Sequence, residues 1–292
     1  LKQKALLLGL VLALLPLGAL LLACSDPAAP EDKGPTALQF LPEELALRDQ
    51  WEDFLRNAEV DESQSYQMKG SEAVTSPWVL TLRLGDVVHK GLWKNPEGRM
   101  GGYWEGWAYE IAAYRLDKHL GLGMVPPTVE RRFRGNRGSC QYWVDDTFSL
   151  KEKESKKLKT PPAKVFSWNR ATYLQRLFDN LIANEDRHSN QILITPDWRI
   201  ILIDHSRSFR TSGKFVRSLI YSARSPTGPM LMSELPRAVV ERLRALDRPT
   251  IKAVAGDYLT DTEIEAVLTR KDLILEEIAR LIEVNGEDKV LY

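Results

Sequence analysis

Cysteine is nearly absent. The 292 residues carry two, Cys24 and Cys140, with only four histidines. Cys24 is claimed by another role below, which leaves Cys140 alone, so no internal disulfide can form. Cys140 lies in Gly138-Ser-Cys-Gln-Tyr-Trp143 and reads as a buried strand residue rather than a nucleophile. Net charge is also absent: 40 Lys and Arg balance 40 Asp and Glu. A nucleic-acid partner would ordinarily require a basic excess, so none is expected. There are no internal repeats. The composition, 43% hydrophobic and 27% charged, is that of an ordinary globular protein, and the length allows one large domain or two small lobes.

The one long apolar run is at the N-terminus. Lys2 and Lys4 precede an almost wholly apolar stretch, Ala5 to Leu22, that closes on Leu21-Leu22-Ala23-Cys24. This pattern is that of a bacterial lipoprotein leader, residues 1–23, cleaved before Cys24, whose thiol then carries lipid. A spanning helix of the same length is the alternative. The expected location is the bacterial cell envelope, lipid-anchored on the extracytoplasmic face, with the membrane as a partner through Cys24. Residues 24–41 are rich in Pro and Ala and read as a tether.

Pro42-Glu43-Glu44 opens a helix expected to run through Asn57. Gln67 to Thr75, Trp78 to Leu84 and Val87 to Lys94 read as an antiparallel meander turning at Gly85-Asp86. Lys94 closes its last strand, where a lysine is ordinarily solvated. Tyr103 to Leu122 has helical spacing at Tyr109, Ala112, Ala113, Leu116 and Leu120, stops at Gly121, and holds Glu110 near its apolar border. Thr128 to Arg132 and Ser139 to Val144 read as strands. Lys151 to Lys164 is a charged run that reads as a solvated loop, with a basic membrane-facing patch as the alternative. Asn169 to Asn184 is helical, Lys214 to Glu234 irregular, and the remainder helical, with a capping box at Thr260-Asp-Thr-Glu263.

The stretch from Asn180 to Phe209 organises the rest. An acidic turn, Glu185-Asp186-Arg187-His188, leads into a strand. Pro196-Asp197 turns the chain, and a second strand ends in Asp204-His205-Ser206-Arg207. Such a hairpin brings Asp186 and Asp204 to one sheet edge, as a divalent metal bound with a phosphate requires. Lys94, Glu110, Asp186 and Asp204 follow the order that phosphoryl transfer from ATP needs: a cation on the phosphates, its partner, a carboxylate for the acceptor hydroxyl and a carboxylate for Mg²⁺.

Asp186-Arg187-His188 followed by Ile203-Asp204 resembles the atypical kinases, which include the phosphatidylinositol 3-/4-kinases and the HipA-type toxin kinases. Glu110-Ile-Ala-Ala-Tyr-Arg-Leu-Asp-Lys and Val125-Pro-Pro-Thr-Val-Glu look closer still to the secretory-pathway Golgi-type casein kinases, as does the turn Ile203-Asp204-His205-Ser206-Arg207. The resemblance covers roughly residues 65–210. It implies an α+β, bilobal protein-kinase-like fold, with an antiparallel β-rich N-lobe (42–150), a charged linker (151–165) and a mainly helical C-lobe (166–292). It also implies ATP with Mg²⁺ or Mn²⁺ as cofactors and a hydroxyl acceptor. Lys94, Glu110 and Gly70 would contact nucleotide, and Asp186, Arg187 and His188 would form the catalytic loop. Asp204, Gln191 and Asn190 would hold metal. Where the lipid and toxin kinases place Asn five residues after the loop Asp, this chain has Gln191, with Asn190 one residue early. A pseudokinase that binds without turnover, and a lipoprotein with an unrelated structural role, remain the alternatives.

Overall fold

In a computed structural model, residues 40–69, 75–222 and 233–292 are described. The expected contacts of Gly70 and Cys24, and the leader as a whole, lie outside the described residues. The chain opens with two helices where one was expected, α1 (Pro42–Ala46) and α2 (Arg48–Asn57), broken at Leu47. Strands β1 (Glu59–Gln67), β2 (Trp78–Leu84) and β3 (Val87–Lys94) form the meander, and the first strand lies earlier than the sequence suggested. β1 has the polar sequence Glu-Val-Asp-Glu-Ser-Gln-Ser-Tyr-Gln and is mostly exposed. That composition suits an edge strand, because charged side chains block pairing with another chain.

A short hairpin follows, β4 (Glu97–Met100) paired with β5 (Tyr103–Gly106), so helix α3 begins at Trp107 and ends at Leu120. Gly121 caps it at φ +69°, a left-handed conformation that glycine adopts without Cβ strain. β6 (Thr128–Phe133) and β7 (Asn136–Tyr142) complete a five-stranded sheet in the order β1-β2-β3-β7-β6. Lys94 pairs in register with Ser139 on β7. One residue earlier, Gly138 lets β7 approach closely: a Cβ there would stand 2.4 Å from the Lys94 carbonyl oxygen.

The charged run is not one loop. Leu150–Ser155 forms α4, whose N-terminus is capped by the Ser149 hydroxyl accepting from the Glu152 amide, directly after the two-residue strand β8 (Phe148–Ser149). Helix α5 (Val165–Ile182) starts four residues earlier than its apolar spacing indicated. It leads into the hairpin β9 (Ile192–Ile194) and β10 (Ile200–Leu202), which with β8 forms a three-stranded sheet in the order β10-β9-β8. Part of the segment read as irregular is a short helix, α6 (Gly213–Arg217). The chain closes with α7 (Arg237–Ala245), α8 (Arg248–Ala255), α9 (Asp261–Asn285) and α10 (Glu287–Val290). The Thr260–Glu263 capping box is formed and opens the 25-residue helix α9.

Two apolar cores give the bilobal architecture. The smaller packs α2 under the five-stranded sheet through Phe54, Leu55, Leu80, Leu82, Trp93, Val129 and Cys140, so Cys140 is the buried strand residue expected. The larger joins α5, α7, α8 and α9, and it includes Ala112, Leu116 and Leu120 of α3. Helix α3 therefore carries Glu110 along the seam between sheet and helical lobe. Among the described residues, no helix is long and apolar enough to cross a membrane.

Candidate phosphoryl-transfer site

Lys94 is buried, contrary to the ordinary expectation for a strand-end lysine. Its Nζ donates to Glu110 Oε1 at 2.9 Å and to Asp204 Oδ1 at 2.8 Å. β3, α3 and the turn after β10 thus meet at one ammonium. Burial disfavours its charge, but Asp204 and Glu110 outweigh that and hold the lysine above its ordinary pKa. Burial likewise disfavours the Glu110 carboxylate. Lys94, and then His205, overcome it and keep the carboxyl well below the usual range. The second Glu110 oxygen accepts from the His205 backbone amide at 2.9 Å.

This pairing has a pH signature. The folded pKa of Glu110 is depressed, so its contribution is present above the ordinary glutamate value of 4.5 and is lost as pH falls below it. The raised pKa of Lys94 places its own loss on the alkaline side, above 10.5. Melting temperatures measured from pH 3 to pH 7 should fall less steeply toward acid for Glu110→Gln than for the wild type. Parallel curves would show that the pair does not contribute to acid sensitivity.

The hairpin gathers the rest of the acidic stretch. Gln191 Nε2 lies 3.2 Å from Asp204 Oδ2 and 3.5 Å from Asp186 Oδ2, placing Asp186 and Asp204 on either side of one amide. Asp204 adopts φ +62°, a left-handed conformation that Asp accepts more readily than most side chains. Arg187 is not at the reacting edge. Its guanidinium is paired with buried Asp179 on α5 and donates to the carbonyls of Gln191 and Ile203 at 3.1 and 2.6 Å. It ties the loop to the residue before β9 and the residue after β10. His188 is exposed, and its backbone amide donates to Gln191 Oε1 at 3.4 Å. Asn190 makes no side-chain hydrogen bond among the described residues, so the structure brings Gln191, and not Asn190, to the two carboxylates.

Three groups take part to which the sequence assigned no role. Glu105 on β5 is buried, and it accepts from the Ser206 hydroxyl at 2.6 Å and from Arg207 Nε at 2.5 Å. Arg207 also pairs with Asp186 Oδ1 at 3.1 Å and packs over the Tyr103 ring, 4.5 Å from its centroid. Asp179 anchors Arg187. The signals were slight: Glu105 stood in what read as a helix start, and Asp179 on a helix face read as apolar.

Counting these partners, five carboxylates (Glu105, Glu110, Asp179, Asp186, Asp204) face three cations (Lys94, Arg187, Arg207), a surplus of negative charge at the cleft. Among the described residues, no three Asp, Glu, His or Cys side chains gather as a ready-made metal cage. Mg²⁺ does not require one, since it is ordinarily held by one or two carboxylates together with nucleotide phosphates and water. Asp186 and Asp204, hard oxygen donors on either side of Gln191, fit that arrangement.

The fold is similar to that of the Golgi casein kinases. Hydra Fam20, solved with sugar, superposes with a TM-score of 0.59 at 15% identity, covering 82% of this chain and 90% of that one. The Golgi casein kinase gives 0.57 at 15% identity, covering 84% of this chain and 78% of that one. The Golgi casein kinase with Mn and ADP bound gives 0.58 at 14% identity over the same shares. Among curated proteins, Protein Rv2133c of Mycobacterium tuberculosis is 24% identical over 212 residues, 64% of this chain and 72% of that protein. No protein-family model matches the chain.

Proposed function

We propose that this protein is a membrane-tethered, metal-dependent phosphotransferase that carries the terminal phosphoryl group of ATP to a hydroxyl on a protein, lipid or small molecule. The carrying observation is Lys94, buried and held between Glu110 and Asp204, with Asp186 a single amide away. Lys94 would meet the nucleotide phosphates and Glu110 would keep it oriented. Asp186 would accept the proton of the attacking hydroxyl while the bond from phosphorus to ADP breaks and the new ester bond forms. Asp204, with Gln191 beside it, would hold Mg²⁺ or Mn²⁺, which supplies neutralising charge at the phosphates. The Golgi casein kinase solved with Mn and ADP supports that choice of cofactors. The Lys2–Cys24 leader supports the tether, and Cys24→Ala should release the protein from membranes.

A second reading is a pseudokinase. It is favoured by Gln191 standing where an Asn ligand is usual, and by Arg207 occupying one oxygen of Asp186. Metal-dependent ATP turnover with a panel of hydroxyl acceptors separates the two. Turnover that Asp186→Ala removes supports the kinase, whereas tight nucleotide binding with no transfer to any acceptor supports the pseudokinase.

A further inference from the structure

The charged run has a surface that is unusual for this chain. Residues 151–164 hold six lysines and two glutamates, a local excess of four positive charges in a chain with no net charge. One of those lysines, Lys156, is paired with Glu152 within α4. Lys157, Lys159 and Lys164 make no ion pair among the described residues. Interleaved with them are apolar side chains left in water: Leu158 is 40% exposed, Val165 44% and Phe166 58%. Cations surrounding exposed aliphatic and aromatic groups are the composition of surfaces that rest in the headgroup region of an anionic bilayer.

The position of this face in the fold points the same way. The described chain begins at Phe40, and Glu44, four residues on, is ion-paired with Arg199 at 2.5 Å. Next to Arg199, Trp198 lies 6.0 Å from Trp168 and 6.0 Å from Phe148, centroid to centroid. Lys153 of α4 sits over both tryptophan rings. Trp168 is two residues from Phe166. The root of the tether and the basic, apolar face are therefore linked through one aromatic cluster. Phe40 lies sixteen positions beyond Cys24, and a fully extended chain of that length reaches about 55 Å at most. A lipid on Cys24 would hold this side of the domain within that distance of the bilayer.

We infer that Lys157, Leu158, Lys159, Lys164, Val165 and Phe166 form a docking face for an anionic lipid surface, which seats the domain on the membrane in one orientation. The inference rests on the lipid-anchor reading for the proximity of the membrane, and on charge complementarity for the choice of face. Docking would lower the rotational freedom of the tethered domain and hold it at a fixed height above the bilayer.

The test places an environment-sensitive fluorophore on Leu158→Cys in the full chain. Cys140 is fully buried, and burial pushes its thiol up to about 12, so it reacts slowly with the label under native conditions. The labelled protein is added to vesicles of phosphatidylcholine alone or with 30% phosphatidylglycerol, and both sedimentation and probe emission are read. The expected result is sedimentation with both lipids but a blue shift only with phosphatidylglycerol. That shift should be reversed by 0.5 M salt, with the docked fraction at least about tenfold lower in Lys157→Gln/Lys159→Gln, since each lysine near an anionic surface is worth roughly fivefold. Sedimentation with a probe that stays aqueous would overturn the docking face and leave the anchor standing. No sedimentation would overturn both. An equal shift on the zwitterionic vesicles, or a shift with polyglutamate but not with vesicles, would also overturn the inference, the latter assigning the face to an acidic protein.

Discussion

Asp186→Ala is expected to lower metal-dependent phosphoryl transfer by about 10²- to 10⁴-fold, the range ordinarily supplied by a positioned base. Nucleotide affinity should stay within a few-fold of the wild type. Asp186 lies across Gln191 from the Lys94 cluster and is ion-paired with Arg207. On the proposed reading, removing it takes away the group that would orient the acceptor hydroxyl and leaves Lys94 and its two carboxylates in place. Asp204→Ala should behave differently. Asp204 contacts Lys94, Gln191 and Ser206 at once, so its loss should remove transfer and metal-dependent binding together. Single-turnover transfer and equilibrium nucleotide binding, measured on both variants, separate the two roles. Equal losses of binding in the two variants would contradict the division of labour.

The second large effect is on stability. Lys94→Ala removes the ammonium hydrogen-bonded to Glu110, whose side chain is 3% exposed. Breaking a buried pair by deleting one partner typically costs about 3–5 kcal/mol, because the remaining charge stays buried without compensation. Denaturant unfolding should therefore show Lys94→Ala among the most destabilised single variants. Lys94→Met combined with Glu110→Gln should recover a large part of the loss, since no buried charge is then left unpaired. A double variant as unstable as the sum of the single ones would mean that the two residues contribute independently, against the geometry.

What could be read from the residues, and what could not, follows from how local the signals are. The hairpin that joins Asp186 to Asp204 was legible because Pro196-Asp197 presets a turn between two short apolar runs. Helix α3 and the capping box at Thr260 were legible for similar reasons of spacing and side-chain chemistry. The strand β1 was not, because its edge position suits polar side chains and erases the alternation that marks a half-buried strand. The charged segment hid α4, since lysines and glutamates form helices and solvated loops equally well. Burial of Lys94 was invisible to any rule of composition: it depends on Glu110 and on Asp204, the latter 110 residues away. Glu105 illustrates the same limit, since its partner Arg207 is 102 residues distant and β5, which carries Glu105, reads as the start of a helix. The acidic and basic residues of the cleft could be named from the sequence, but the hydrogen bonds that turn them into one site arise only from tertiary packing.

Calorimetric titration of ADP or a non-hydrolysable ATP analogue into the protein, with Mn²⁺ or Mg²⁺ and again with excess EDTA, tests the central claim most directly. The account predicts one nucleotide bound per chain in the presence of metal, with affinity falling at least tenfold on chelation and in Asp204→Ala. No nucleotide binding under any metal condition would contradict it, and with it both the kinase and the pseudokinase readings of the cleft.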